Sequence, residues 1–235
     1  MTLLAALDSP SSCYSLYVNH WFCSSYLRDY EPQLTSATKQ HAQITVISVL
    51  LGLVVALPLA VLARRAPRLE SSILGVSTIV YTIPSLALFP LLVPFTGISQ
   101  TTVVIGLALY SLTILVRNTL AGLRGVPDEV RESAVGMGYG PLRMLVKVEI
   151  PLALPVIMAG LRVATVSTVA LTTIGSIVAY GGLGNLLAQG VQENFKAQIL
   201  AASVLCVLLA FALDLLLLVA QRFLTPWTWK AGARS

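Results

Sequence analysis

Long apolar runs alternate with short polar stretches along the 235-residue chain. A helix needs about 20 apolar residues to cross the hydrocarbon core of a bilayer. Five runs reach that length and predict five transmembrane helices, at residues 43–63, 71–95, 101–121, 151–180 and 197–220. The fourth run contains Arg162, whose side chain we expect either to reach the interface or to line an internal cavity. The pattern therefore predicts an all-α integral membrane protein.

The composition supports this class and excludes several others. Charged residues make up 11% of the chain and the mean hydropathy is +0.83, whereas about 25% of an ordinary soluble domain is charged. A disordered chain, a secreted disulfide scaffold and a soluble enzyme all need more polar surface than this. The net charge of +5 could indicate nucleic-acid binding, but the basic residues form no stripe, so we expect no nucleic-acid partner.

Basic residues instead gather at the ends of the apolar runs. Clusters follow the first run (Arg64, Arg65, Arg68), the third (Arg124, Arg131, Arg143, Lys147) and the fifth (Arg222, Lys230, Arg234). Because basic residues favour cytoplasmic loops, the N-terminus is predicted outside, and the loop at 122–150 and the C-terminus inside. The predicted divisions are an extracytoplasmic or interfacial segment at 1–42, a membrane domain at 43–220 and a cytoplasmic tail at 221–235.

The N-terminal segment is rich in aromatic residues. In a helix, they would form two faces, Tyr14, Tyr17 and Trp21 on one and Phe22, Tyr26 and Tyr30 on the other. This arrangement predicts a helix lying in the outer interface, with a substrate-binding aromatic cage as the alternative. We interpret Cys13, Cys23 and Cys206 as packing residues, with a Cys13–Cys23 disulfide as the alternative. His20 and His41 precede the first run and are interpreted as exposed interfacial side chains.

The loop between the third and fourth runs is longer than a simple connection requires. Pro127 favours the first position of a short helix, and Asp128 and Glu129 place negative charge at its positive dipole end. The end of this helix is predicted at a glycine-rich stretch, Gly136, Gly138 and Gly140. Pro141 then begins a second short helix. Its apolar stripe consists of Leu142, Leu145, Val146 and Val148. The sequence predicts a helix–turn–helix held against the membrane face.

Seven residues of this loop have a characteristic spacing: Glu132, Ser133, Ala134, Gly138, Val148, Ile150 and Pro151. The spacing resembles the EAA loop of bacterial ABC importer permeases, in which E-A-A is followed after three residues by G and after nine more by I-x-L-P. Here Ser133 replaces the second-position Ala, and Val148 and Ile150 replace Ile and Leu. The resemblance implies that Glu132 to Gly138 dock on a separate ATPase subunit, and that the segment at about 127–151 couples ATP hydrolysis to transport.

The resemblance extends over about residues 42–220. The stretches at 81–99, 117–138, 148–166 and 180–190 resemble permeases of osmoprotectant importers, which carry quaternary ammonium compounds such as glycine betaine, carnitine, choline and proline betaine. It implies a type I permease fold in the bacterial inner membrane and a second, identical or homologous, permease. It also implies two ATPase subunits and an extracytoplasmic binding protein. Permeases for methionine and other small solutes share the five-span plan and remain the alternative.

Aromatic faces bind quaternary ammonium groups well. Candidates for the substrate path are the intramembrane residues Tyr81, Phe89, Tyr110 and Tyr180, for which helix packing is the alternative role. Prolines are predicted to bend the second run (Pro84, Pro90, Pro94) and the fourth (Pro151, Pro155).

Two further features of the membrane domain carry predictions. Gly181, Gly182 and Gly184 predict a re-entrant turn that either gates the path or joins two spans. Asp214 lies within the last run, where we expect a structural ion pair with Arg117 or Arg162.

The chain has no G-x-x-x-x-G-K-[ST] motif, so ATP and Mg²⁺ are expected on a partner ATPase subunit. It offers neither a metal-ligand cluster nor a catalytic constellation, and we predict a non-enzymatic subunit without cofactors of its own. The rival interpretations are an osmotic channel or ion-driven transporter, which would need polar or acidic residues within the spans, and a membrane enzyme. Both leave the 127–151 loop unexplained.

Overall fold

The computed structural model describes residues 13–14 and 18–227, and the regular elements of these residues are helices. In chain order they are α1 (Ser24–Asp29), α2 (Glu31–Arg65), α3 (Pro67–Thr82), α4 (Ser85–Thr96), α5 (Gln100–Arg124), α6 (Asp128–Gly136), α7 (Pro141–Met144), α8 (Ile150–Thr172), α9 (Leu183–Gln192) and α10 (Lys196–Leu224). A π-turn, Leu145–Glu149, joins α7 to α8, and a 3₁₀ turn, Thr173–Val178, follows α8.

Four helical stretches are long and apolar enough to cross a membrane: Glu31–Arg65, Gln100–Arg124, Pro141–Val178 and Lys196–Leu224. The α3–α4 pair makes a fifth candidate span if its two bent arms cross together. The predicted all-α membrane fold is therefore confirmed for the described residues.

The first span begins earlier than the hydropathy predicts. α2 starts at Glu31 rather than at position 43, with a proline in its first two positions and an acidic residue in its first turn, which both favour a helix start. Its 35 residues measure roughly 52 Å at 1.5 Å per residue, more than the bilayer core requires. Position 43 therefore lies within a continuous helix and marks no boundary between structural elements.

The second span is broken rather than continuous. α3 and α4 meet at a bend of 100° around Ile83 and Pro84. Pro84 has no N–H to continue the helix, and the residue before a proline is driven to extended backbone, as observed for Ile83. The hydroxyl of Tyr110 on α5 donates a hydrogen bond to the carbonyl oxygen of Ile83. The bend predicted at Pro84 is confirmed, and the run predicted at 71–95 consists of two helices on either side of it.

The core lies around α5, which packs against α2 and α8. Its fully or nearly fully buried apolar residues are Val103, Leu107, Leu115, Val116, Leu120 and Leu123. Several short polar side chains between the helices are also paired. For example, the hydroxyls of Thr45 on α2 and Thr172 on α8 lie 3.2 Å apart. α2, α5 and α8 thus form a closely packed bundle to which the other helices attach.

A tight turn after α8 corresponds to the predicted glycine-rich feature. The side chain of Asn185 accepts a hydrogen bond from the N–H of Gly181 and donates one to the carbonyl of Ala179, both at 2.9 Å. Gly184 lies so close to Thr173 that an added Cβ would be 2.2 Å from its carbonyl oxygen. α9, with ten residues, is too short to cross a bilayer. The turn therefore joins α8 to a short helix before the last span.

The same turn covers His41, which is fully buried. The Nε2 atom of His41 lies 3.0 Å from the carbonyl oxygen of Val169 on α8, and an added Cβ at Gly182 would be 2.7 Å from the backbone nitrogen of His41. The predicted exposed interfacial position of this histidine is wrong, because α2 extends beyond the predicted span and brings residue 41 into the bundle. His20 is exposed, as predicted.

The N-terminal segment is not one interfacial helix. Cys13 and Cys23 form a disulfide, Tyr14 pairs with Asn19 in an isolated bridge, and helix begins only at Ser24. The packing interpretation of these two cysteines is thus wrong and the alternative disulfide is correct, while Cys206 is free and partly buried. Tyr17, assigned to one predicted face, lies outside the described residues. The Cα atoms of Cys13 and Cys23 are 5.5 Å apart, whereas ten residues of α-helix would separate them by about 15 Å, so one helix cannot contain both bridged cysteines.

Candidate functional site

The 127–151 segment forms the two predicted short helices. Pro127 lies just before α6 with extended backbone, so the helix begins at Asp128, one residue later than predicted. Asp128 and Glu129 occupy its first turn. At the other end Gly138 has φ +80°, a conformation that glycine adopts without steric cost. The N–H of Gly138 bonds to Val135 O and the N–H of Tyr139 to Ala134 O. These two bonds form a Schellman motif, which ends α6 sharply.

The second short helix differs from the prediction. After α7 the backbone forms a π-turn, whose i→i+5 bonds rotate the following side chains relative to an α-helix. Leu142 and Val146 of the predicted stripe are exposed, Leu145 and Val148 are partly buried, and Met144 is the buried residue instead. The four stripe residues therefore share no single buried face, and their contact with the membrane face stays a prediction. Pro151, which lacks an N–H for the carbonyl four residues earlier, follows directly.

The seven spaced residues separate into two groups. Glu132, Ser133 and Gly138 are exposed on and after α6, whereas Val148, Ile150 and Pro151 are partly buried at the start of α8. Ala134 is the one buried residue of α6. Several apolar residues lie exposed in the same region: Val130, Val135, Met137, Leu142 and Val146. An exposed apolar surface of this kind is typical of an interaction site.

A buried ion cluster lies behind α6, and the sequence did not indicate it. Glu149 is 7% exposed. Its Oε1 atom is 2.6 Å from Nη2 of Arg64 and 3.3 Å from Nε of Arg131. Arg131 also pairs with Asp128 and donates to the carbonyl of Leu123. The only sequence signal was an acidic residue in an apolar stretch just before Pro151.

The four candidate path residues do not form one cage. The rings of Tyr81 and Tyr110 meet edge to face at the α3–α4 bend, with centroids 5.9 Å apart. Phe89 is fully buried, and Tyr180 packs against the same apolar cluster. Of the four, only Tyr81 is exposed. The structure thus brings Tyr81 and Tyr110 together at the bend and places Phe89 and Tyr180 at another apolar cluster, with Tyr81 the most accessible ring.

A separate aromatic cluster joins the N-terminal segment to the start of α10. The rings of Tyr14, Tyr26, Tyr30 and Phe195 contact one another, with centroids 4.7–5.9 Å apart. Burial raises the pKa of Tyr26 to about 12, and a hydrogen bond to Asp29 raises the pKa of Tyr14 to about 12. These four rings pack on one another, whereas Trp21 and Phe22 of the same segment are exposed, and the alternative of an aromatic cage stays a prediction.

The intramembrane charges are paired as expected. Arg162 on α8 donates two parallel hydrogen bonds to Asp214 on α10, Nε to Oδ1 and Nη2 to Oδ2, both 2.8 Å long. Arg117, the other proposed partner, instead donates to the hydroxyl of Thr78. A bidentate pair between two helices supports the structural interpretation of Asp214.

Comparison with known proteins places this geometry in a family. Residues 48–230 match the family described as "Binding-protein-dependent transport system inner membrane component". The choline transport system permease protein OpuBB of Bacillus subtilis is 37% identical, with 83% of this chain and 89% of that protein covered. The osmoprotectant import permease protein OsmW of Salmonella typhimurium is 38% identical, with 86% and 96% covered.

Among solved structures, an inward-facing MetNI methionine ABC transporter has a similar fold. The TM-score is 0.76 at 22% identity, and the match covers 84% of this chain and 98% of that one. At this identity the likeness concerns the fold alone. The described helices, the 127–151 segment and the family match agree, and the chain belongs to the family of inner membrane components of binding-protein-dependent transport systems.

Proposed function

We propose that this chain is the permease subunit of an ATP-driven ABC importer, and that it forms the path for osmoprotectants of the quaternary ammonium class. Such compounds include glycine betaine, carnitine, choline and proline betaine. The observation that carries the coupling role is the exposed α6, which ends sharply at Gly138 and leads through the π-turn into α8. The substrate class is supported by the choline and osmoprotectant permeases, at 37% and 38% identity.

In this proposal α6 docks on the ATPase subunit. Glu132 and Ser133 offer exposed polar groups beside the exposed apolar Val135 and Met137, and a mixed surface of this kind suits a protein groove. Val148, Ile150 and Pro151 connect this surface to the membrane span. In this proposal ATP and Mg²⁺ are bound by the ATPase subunits, and the residues that the structure describes include no cluster of metal ligands.

Substrate selection is assigned chiefly to an extracytoplasmic binding protein. Tyr81 is the accessible ring at the α3–α4 bend, so we propose that it contacts the solute first, with Tyr110 supporting it. Phe89 and Tyr180 are packed in this conformation and would join the path only after helices move. A permease that releases its solute has no need of a closed, tight cage.

The complete transporter is proposed to contain two permeases, this chain with a second copy or a homologous one, and two ATPase subunits, in the bacterial inner membrane. The N-terminus is assigned to the outside and the C-terminus to the cytoplasm. Two independent features support this orientation: the basic clusters after the first, third and fifth apolar runs, and the Cys13–Cys23 disulfide, a bond that persists in oxidising compartments.

The orientation is testable by thiol labelling of intact spheroplasts that carry a Cys206→Ala variant. A membrane-impermeant maleimide should label Cys13 and Cys23 only after treatment with an impermeant reductant. As the control, Ser133→Cys in a cysteine-free chain should react only after permeabilisation. Labelling of Cys13 and Cys23 that needs permeabilisation would reverse the orientation, and labelling without reductant would exclude the disulfide.

The function itself is tested by uptake into proteoliposomes that contain this subunit, its ATPase, its binding protein and any partner permease. Labelled glycine betaine, choline and methionine are compared, with ATP supplied on the side of the ATPase. ATP-dependent uptake of a quaternary ammonium compound is expected. Uptake of methionine alone would keep the ABC mechanism and change the substrate, whereas solute flux without ATP would indicate a channel.

A further inference from the structure

Glu149 is an acidic residue that the family resemblance leaves without a role. It occupies the position between Val148 and Ile150 that may be any residue in the motif, and it is the last residue of the π-turn. It is nevertheless buried, with 9% of its side-chain surface exposed and 7% of the surface of the whole residue. A buried carboxylate requires partners that offset the loss of hydration, and π-turns frequently lie at functional sites.

The partners of Glu149 come from two other helices. Arg64 lies at the end of α2 and Arg131 lies in α6, and both guanidinium groups approach the same carboxylate oxygen, at 2.6 and 3.3 Å. Because Glu149 itself leads into α8, one side chain connects α2, α6 and α8. These three helices are the end of the first span, the candidate docking helix and the start of the fourth span.

α6 has few other means of attachment to the bundle. Ala134 is its one buried residue, and a cleft of about 550 Å³ separates it from the basic end of α2. Arg131 reaches across this region and also holds Asp128 at 2.6 Å and the carbonyl of Leu123 at 2.8 Å. The orientation of α6 therefore depends largely on the Arg131 side chain, for which Glu149 is the acidic partner outside α6.

Stability alone is a weak explanation for this cluster. A buried ion pair often contributes no more than a well-packed apolar group, because the cost of removing two charges from water offsets their attraction. Its geometry, however, fixes the position of each charged group. Without Glu149, Arg64 and Arg131 would no longer share a carboxylate, Arg131 would keep only Asp128 of its own helix, and the two guanidinium groups would separate.

We propose that Glu149 is a positioning residue that makes α6 move together with α2 and α8. A displacement of α6 by the ATPase is then transmitted to both spans through the Arg131–Glu149–Arg64 contacts. The proposal rests on the proposed function, in which α6 is the docking element, and assigns the connection behind the docking surface to one carboxylate.

The test compares wild type with Glu149→Gln in the complete reconstituted transporter. The amide keeps the size of the side chain and removes its charge. We expect normal copurification of the ATPase subunit, retained ATP hydrolysis, and a fall of about tenfold in solute imported per ATP hydrolysed. Glu70→Gln is the matched control, because Glu70 is ion-paired with Arg124 outside the 127–151 segment. In this control the ratio should stay at the wild-type value.

A second variant keeps the test decisive if Glu149→Gln fails to assemble. Arg131→Gln leaves Glu149 paired with Arg64 but removes the contacts of Arg131 with Glu149, Asp128 and the carbonyl of Leu123, so the same fall in the ratio is expected. Glu149→Asp, which retains the charge, should recover part of the wild-type ratio of solute imported to ATP hydrolysed. A wild-type ratio of solute to ATP in either assembled Gln variant would overturn the proposal. If wild type itself shows no ATP-driven uptake, the proposed function fails, and this inference fails with it.

Discussion

Replacing Glu132 with Arg is expected to abolish ATP-driven uptake while the subunit remains in the membrane at its wild-type level. Glu132 is exposed on α6, and a surface substitution usually changes the free energy of unfolding by less than about 0.5 kcal/mol. A charge reversal on a docking surface, by contrast, places like charges together in the complex and weakens it strongly. The measurements are the amount of subunit in the membrane, copurification of the ATPase subunit and uptake.

Glu193→Arg serves as the matched control for this variant, because Glu193 is also exposed but lies after α9, far along the chain from the 127–151 segment. It should transport normally. Gly138→Val should reproduce the loss for a different reason, since φ +80° at Gly138 costs a residue with a Cβ about 1–2 kcal/mol. That strain would displace the end of α6. Normal uptake with Glu132→Arg would contradict the docking role.

The spans could be predicted from the sequence because membrane crossing depends on the summed apolar length of a run. α5 and α10 match their predicted ranges within a few residues for this reason. The break at Ile83 could be predicted only as a bend, since a proline removes one hydrogen bond but does not decide where the next arm points. That direction depends on packing, including the contact of Tyr110 with Ile83.

The candidate site shows the same division between local and distant causes. The course of α6 follows from neighbouring residues, the acidic first turn and Gly138 at the end, and could be read from a short window of sequence. The Arg64–Glu149 pair joins residues 85 positions apart. Nothing near Glu149 in the sequence identifies Arg64 as its partner. The burial of His41 likewise arises from a distant turn, at Gly182.

Asp214→Asn is expected to reduce the amount of folded subunit in the membrane far more than it reduces uptake per molecule. Asp214 is ten residues from the end of α10, and Arg162 is twelve residues into α8, so each lies roughly 15–18 Å along its helix. Asparagine leaves Arg162 without a counter-charge, and an unpaired charge at the bilayer centre costs about 3 kcal/mol. The measurements are membrane yield, thermal stability and uptake normalised to yield.

The decisive control removes both charges together, as Arg162→Met with Asp214→Leu. Replacing a whole ion pair by apolar side chains of similar size is often neutral or stabilising, because no charge is left to be buried alone. If the pair only holds α8 to α10, the double variant should reach wild-type yield and transport normally, although Asp214→Asn does not. A double variant with wild-type yield and no uptake would instead assign the pair to the transport cycle. In that case the two parallel hydrogen bonds between Arg162 and Asp214 would have to break or re-form as the helices move, since a contact that stays unchanged throughout the cycle could be replaced without loss of transport.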